Sequence, residues 1–143
     1  VPVSFNNRFN MLAYSFIYNN TWKDRDVDFG QYAKVCVGYT ECQELAPGAV
    51  VKEFIHPVTN QIYRAPVAND GRSISGDLVD QVNTLKLRYT EAKTALDGEA
   101  PGTTNYANRL ATLEYRSEQM EDVVARLDMI RYIWNALGAD QLR

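Results

Sequence analysis

The sequence predicts a mainly α (α+β) fold built on one long antiparallel helical hairpin. Along residues 73–138, apolar side chains recur at alternating spacings of four and three, which places them on one stripe of a helix. The segment Glu99-Ala100-Pro101-Gly102 divides this stretch, because proline and glycine do not continue a helix. So short a connection makes the two predicted helices antiparallel, with stripe facing stripe.

Capping residues give approximate bounds for both long helices. Ser75 is predicted to cap the first helix, which ends near Gly98. Thr103 or Thr104 caps the second helix, and Gly138 ends it. The second helix then spans about 50 Å and the first about 34 Å. The two stripes form the predicted hairpin core, which consists of Leu78, Val82, Leu85, Tyr89, Leu96, Leu110, Leu113, Met120, Leu127, Ile130 and Trp134.

Residues 1–21 predict an additional, aromatic-rich N-terminal helix. Its apolar positions extend beyond a single stripe, so a helix of this composition is expected to be buried on most sides. We therefore expect it to pack on another surface. Trp134 and Tyr132, near the end of the last helix, are further candidates for docking, because aromatic side chains dominate protein interfaces. The candidate interface residues are Phe5, Phe9, Leu12, Phe16, Trp22 and Tyr132.

Residues 22–72 are predicted to be loop with short β-strands. Tyr32–Val37 has the composition of a strand. Val50–Ile55 and Gln61–Ala65 flank a tight turn, in which Pro57 presets φ and Asn60 tolerates a left-handed conformation. These two strands predict a small β-hairpin. No linker or repeat divides the chain, so residues 1–143 are expected to form one module.

Composition argues against two classes of partner. The net charge is −3 and the pI is about 5.1, and the arginines of the second helix alternate with acidic residues. This is typical of a solvated helix face, so we expect no nucleic-acid binding. No apolar run is long enough to cross a bilayer. The chain starts at Val1 without a targeting segment, as expected of a mature product or a piece of a longer protein.

The sequence offers little catalytic chemistry. His56 is the only histidine, and its place between a strand and Pro57 favours a hydrogen-bonded turn residue over a general base. Two cysteines and one histidine do not complete a zinc site, so no metal, cofactor or catalytic residue is predicted. Cys36 and Cys42 would form a local disulfide in an extracytoplasmic protein and remain two thiols in a cytosolic one.

The order of elements resembles a known family. The segments that carry the resemblance are Phe9-Asn10-Met11-Leu12-Ala13-Tyr14, the hairpin from Phe54 to Ala65, Ile74-Ser75-Gly76-Asp77-Leu78-Val79 and Leu127-Asp128-Met129-Ile130-Arg131. Together they resemble the C-terminal region of large secreted, lipoprotein-like zinc metalloproteases of the zincin type, best represented in myxobacteria. The zinc-binding His-Glu-x-x-His helix of that family would lie upstream and has no counterpart here, so no catalytic or metal-binding residue carries over.

The resemblance implies a location and a role. The chain would be the non-catalytic C-terminal structural or accessory region of an exported bacterial protein, which is itself a candidate zinc metallopeptidase. It would pack on the remainder of the parent polypeptide or on another protein chain, with Cys36 and Cys42 oxidised. The expected location is secreted or on the outer bacterial surface. The alternative is an independent protein-protein interaction module of a cell-surface or appendage assembly, and an enzyme in its own right is a third hypothesis.

Overall fold

The computed structural model describes residues 11–12, 50–68 and 71–138. Within them lie strands β1 (Val51–Ile55) and β2 (Ile62–Pro66) and helices α1 (Ile74–Asp97) and α2 (Thr104–Ala136). The helices pack along each other, β2 packs on α2, and β1 packs on α1. This confirms the mainly α fold, with its long helical hairpin and small antiparallel β-hairpin.

Several predictions lie outside the described residues. Leu12 and the preceding Met11 are helical, but the rest of the aromatic segment 1–21 is not described. The same holds for the predicted strand Tyr32–Val37. The remaining predicted residues outside the described ranges are Phe5, Phe9, Phe16, Trp22, Cys36 and Cys42.

Helix α1 begins earlier than its predicted cap. Ser73 is the N-cap residue: its backbone is extended, and its Oγ accepts a hydrogen bond of 2.8 Å from the N–H of Gly76. The prediction that Ser75 caps this helix was wrong, because Ser75 already lies in the first turn, where it is fully buried. Asp77 is the acidic residue of that turn and favours the positive end of the helix.

The connection between the helices contains its own hydrogen bonds. Thr103 caps α2 by accepting from the N–H of Tyr106 at 3.1 Å, and its hydroxyl donates to Ala100 O at 2.7 Å. Gly102 before it has a φ of 85°, which favours glycine over residues with a side chain. The predicted capping role of Thr103 is confirmed. Gly138, which follows α2, has a φ of 88° and ends the helix as predicted.

The β-hairpin places one face against the helices. The register pairs Lys52 with Ala65 and Phe54 with Tyr63 on the inner side, and the two aromatic rings lie 5.8 Å apart. Asn60 in the turn has a φ of 60°, the left-handed conformation that asparagine tolerates. Because side chains alternate along a strand, His56, two residues beyond Phe54, points to the same inner side.

The fully buried core is concentrated at the base of the helical hairpin, where the strands pack. In α1 the buried residues end at Leu85, and in α2 they begin at Ala125. Two stripes are buried along the last turns of α2, namely Leu127, Ile130 and Trp134 together with Ala125, Met129 and Ile133. The base therefore contributes most of the apolar burial that stabilises the described part of the chain.

The distal half of the hairpin, residues 86–124, is a two-helix arm without a fully buried side chain. Of the predicted core, Leu78, Val82 and Leu85 are buried in α1 and Leu127, Ile130 and Trp134 in α2. Leu110, predicted as core, is exposed at 36%, because among the described elements α1 is the one that packs along α2 here and it does not cover this position. The other predicted core residues form a half-buried seam, which consists of Tyr89, Leu96, Leu113 and Met120.

Candidate functional site

The only histidine of the chain lies at the point where the strands meet both helices. His56 follows β1 directly and is 1% exposed. Its Nε2 lies 2.7 Å from Oδ1 of Asp128 on α2, seventy-two residues further along the chain. Its Nδ1 accepts hydrogen bonds from the backbone N–H groups of Val58 and Thr59, each at 3.2 Å. Both ring nitrogens therefore have partners.

These contacts define the tautomer. An N–H group only donates, so Nδ1 must be the unprotonated acceptor, and the ring proton lies on Nε2, which donates it to Asp128. The turn is closed by two backbone bonds of 2.9 Å, from the N–H of His56 to Gln61 O and from the N–H of Asn60 to His56 O. The imidazole thus organises the turn on one side and fastens it to α2 on the other.

Two cations fasten the same turn to the helices. Lys86 on α1 donates to Pro57 O at 2.9 Å, and Arg131 on α2 donates to the side-chain oxygen of Gln61 at 3.2 Å. We call the contacts of His56, Lys86, Asp128 and Arg131 with this turn the His56 clamp. It joins β1, α1 and α2 through polar groups at one point of the base.

The geometry of the clamp indicates a structural role. A general base must reach the proton that it removes, but the ring of His56 is buried and both of its nitrogens are engaged. Asp128 is half-exposed, with 47% of its side chain accessible. The prediction that His56 is a hydrogen-bonded turn residue is confirmed by these bonds.

A second polar pair lies behind the clamp. The hydroxyls of Tyr63 on β2 and Ser75 on α1 are both buried, and neither makes a hydrogen bond of good geometry. Burial raises the pKa of Tyr63 to about 12, although the neighbouring Ser75 hydroxyl and the charge of Arg131 lower it in part. The phenol is therefore held in its neutral form, because its ionisation at alkaline pH would place a negative charge in a buried position.

A groove of about 540 Å³ runs between α1 and α2 above the base. Its lining is of mixed character, with the apolar Leu85 and Val123 beside side chains of both charge signs. The charged and polar members are Asp80, Gln81, Thr84, Arg88, Gln119, Asp122 and Arg126. Acidic and basic groups face each other across this groove, so it does not select a ligand of one charge.

The predicted interface residues that are described differ in exposure. Tyr132 is 41% exposed and Leu12 is half-buried. Trp134, predicted as a docking residue beside Tyr132, is fully buried and belongs to the core, so that prediction was wrong. The reason is helical geometry, because residues two apart on a helix point to different sides.

The structure adds an apolar surface that the sequence did not indicate. The cross-strand pair Ile55 and Ile62 is exposed at 59% and 64%, and Val58 in the adjoining turn is also exposed. We call these three residues the hairpin patch. In the arm, the exposed large apolar residues are Leu87, Leu110 and Tyr115.

Asp128, the partner of His56, was not singled out as a functional residue by the sequence. It lies among charged neighbours on a helix and is one of many acidic residues with that appearance. A weak signal exists, since Asp128 and Arg131 are one helical turn apart and beside the buried stripe. Lys86 carries no comparable signal.

The described part of the chain contains neither a cluster of metal ligands nor a membrane span. Among residues 11–12, 50–68 and 71–138, no three potential ligands of the His, Cys, Asp or Glu type come together as a metal site. No helix within those same ranges is long and apolar enough to span a bilayer. Comparisons with protein-family profiles, with curated proteins and with solved structures give no match.

Proposed function

We propose that this chain is a non-catalytic structural and accessory module that packs on another protein surface. In this proposal it is the C-terminal region of a secreted, zinc-metalloprotease-like bacterial protein, and it supports or shields the catalytic part. The observation that carries the packing role is the arm, residues 86–124, whose apolar seam is only half-buried. The link to metalloproteases comes from the sequence resemblance.

The arm has the properties of a docking element. Its seam residues keep part of their apolar surface accessible, and Leu87, Leu110 and Tyr115 add exposed apolar side chains. Covering such area against another protein stabilises a complex by about 25 cal/mol for each Å² of apolar surface removed from water.

The state of His56 supports a non-catalytic role. A chain with one histidine has one side chain whose ordinary pKa suits acid-base catalysis near neutral pH. In this chain that side chain is buried and bonded at both nitrogens, where it joins a β-turn to α2. We therefore assign His56 to the stability of the module.

The second candidate is an independent protein-protein interaction module of a cell-surface or appendage assembly. The hairpin patch favours it, because Ile55, Val58 and Ile62 are exposed together at one end of a β-hairpin. Such a module needs no parent polypeptide and would be stable alone. An accessory region would depend on the polypeptide that precedes it.

The experiment that separates the two candidates uses the gene. If the coding sequence upstream of Val1 encodes a His-Glu-x-x-His helix, that upstream polypeptide is expressed as a separate chain together with residues 1–143. The accessory hypothesis predicts that the two chains co-purify as a one-to-one complex in size-exclusion chromatography with light scattering. The double variant Leu87→Glu, Tyr115→Glu should abolish the complex without loss of helical circular dichroism.

The matched control is Asn108→Glu, which adds a charge at an exposed position of the arm without removing an apolar side chain. It should leave the complex intact. The independent module would be supported instead if residues 1–143 alone are monodisperse and unfold in one cooperative transition. In that case they should also not bind the upstream chain. Bound zinc together with casein hydrolysis by the isolated chain would contradict both candidates.

The proposed location makes a separate prediction about the cysteines. In an extracytoplasmic protein, Cys36 and Cys42 are expected to be joined, so the native protein should take up no alkyl group without reductant. Intact-mass spectrometry after iodoacetamide treatment, with and without prior reduction, measures this directly. Uptake of two alkyl groups by the unreduced, denatured protein from its native source would argue for a reducing compartment.

A further inference from the structure

The Nδ1 atom of His56 is occupied as a hydrogen-bond acceptor. The N–H groups of Val58 and Thr59 both point at it from 3.2 Å, and the ring is 1% exposed, so water does not separate them. A proton on Nδ1 would turn this atom from an acceptor into a donor that faces two other donors. Histidine is the side chain that ordinarily takes up a proton between about pH 5 and 8.

We propose that the turn from His56 to Gln61 is an acid-responsive latch. Uptake of one proton by Nδ1 ends the hydrogen bonds from Val58 and Thr59, while Nε2 keeps its bond to Asp128. The ring then remains attached to α2, and the turn residues 57–60 move away from it. The latch does not depend on the proposed docking function, because all of its parts lie within this chain.

The charged groups around the turn set the balance of the latch. Asp128 lies 2.7 Å from Nε2, and its half-exposed carboxylate is screened by solvent. Lys86 from α1 and Arg131 from α2 contact the turn at Pro57 and Gln61 and repel a further positive charge. Tyr63 on β2, near Asp128 and Arg131, stays neutral throughout this range because its pKa is about 12.

Opening of the latch changes an exposed surface. Val58 donates one of the two bonds that are lost, and its side chain belongs to the hairpin patch with Ile55 and Ile62. Movement of the turn therefore moves one of three apolar side chains relative to the other two. Lys86 holds Pro57 O by a single bond of 2.9 Å, so the contact with α1 is the one expected to break with the turn.

Proton-nitrogen NMR of the 143-residue chain between pH 8 and pH 5 tests the latch. The amide signals of Val58 and Thr59 should shift with the same midpoint as the ring protons of His56. Their protection from hydrogen exchange, corrected for intrinsic rates, should fall about tenfold, as expected for the loss of one hydrogen bond. The N–H of Val67, which donates to Val50 O at the other end of the hairpin, is the internal reference and should not change.

Two variants complete the test. In His56→Asn, the side-chain oxygen takes the place of Nδ1 as acceptor but does not titrate, so the Val58 and Thr59 signals should be independent of pH. In Asp128→Asn the ring keeps an acceptor but loses the anion, so the midpoint should move to lower pH. If His56→Asn does not fold, Asp128→Asn still tests whether the turn responds to protonation of His56.

The latch is refuted by any of three results. The first is a pair of turn amides that do not follow the His56 ring in the unmodified chain. The second is the same transition in His56→Asn, since another group would then be responsible. The third is an unchanged midpoint in Asp128→Asn.

Discussion

The His56–Asp128 bond should contribute measurably to the free energy of unfolding, and a double-mutant cycle isolates it. The two substitutions are His56→Asn and Asp128→Ala. Asparagine keeps an acceptor for the turn N–H groups but is too short to reach Asp128, so it removes the Nε2 bond selectively. Asp128→Ala removes the same bond from the other side and leaves the turn bonded to the ring.

The expected size follows from the geometry. A hydrogen bond to a charged group contributes about 1.5–3 kcal/mol, and a buried donor without a partner costs about as much. The carboxylate is 47% accessible, so solvent screens it, and in the alanine variant water reaches Nε2. We therefore expect a coupling energy near the lower end, about 1.5 kcal/mol. Each single variant should lose about 1.5–2.5 kcal/mol.

Urea unfolding followed by circular dichroism at 222 nm measures the four free energies. The measurements belong at pH 8, where histidine is ordinarily neutral. The slopes with denaturant should agree among the four proteins, because a changed slope would indicate a changed unfolded or native state. A coupling energy below about 0.3 kcal/mol is within the additivity expected of independent sites and would refute the clamp.

Three further perturbations test other parts of the fold. Tyr63 has a raised pKa in the folded chain, so its stabilising contribution is complete below pH 10 and is lost as the pH rises from 10 to about 12. Over that window the free energy of unfolding of the unmodified chain should fall by about 2–3 kcal/mol relative to that of Tyr63→Phe, as measured by urea unfolding at each pH. If the free energies of the two proteins change in parallel with pH, the burial of this hydroxyl is contradicted. Gly76→Ala would place a Cβ 2.8 Å from Ser73 Oγ and 3.3 Å from the Phe54 ring. This variant should therefore be less stable by about 1–2 kcal/mol, despite the better helix propensity of alanine. A more stable variant would show that the Ser73 cap and the Phe54 ring can shift freely. Trp134→Ala should lower the free energy of unfolding by about 3–5 kcal/mol in the same assay. Tyr132→Ala, at a more exposed position, should lower it by less than about 1 kcal/mol. Equal losses would contradict the assignment of Trp134 to the core.

The sequence predicted the local parts of the fold well. Leu78, Val82 and Leu85 follow a helical period that no strand could use, so the hairpin was visible without any tertiary information. Asn60 likewise indicated the turn, because asparagine tolerates the left-handed backbone conformation. The cap of α1 was placed two residues too late, because Ser73 and Ser75 both suit the role and only the start of the packed helix decides between them.

Other features depend on contacts that no local pattern contains. The stripe continues unchanged through Leu110, although the fully buried residues of the described helices lie at the base of the hairpin. The partner of His56 is seventy-two residues distant, and spacing along a chain does not indicate such a pair. Trp134 was predicted both as core and as docking residue, and only packing distinguishes the two roles. The candidate site was therefore recognised in part, through His56 and its turn.

The concentration of buried side chains at one end of the helical hairpin implies unequal local stability along it. Backbone amides near Val82 on α1 should open only with global unfolding, whereas those flanking Gly102 should open in small, frequent fluctuations. Cleavage or insertion at the connecting loop would consequently leave the packed end intact. The far end of the hairpin can thus diverge in length and sequence while the rest of the molecule stays folded.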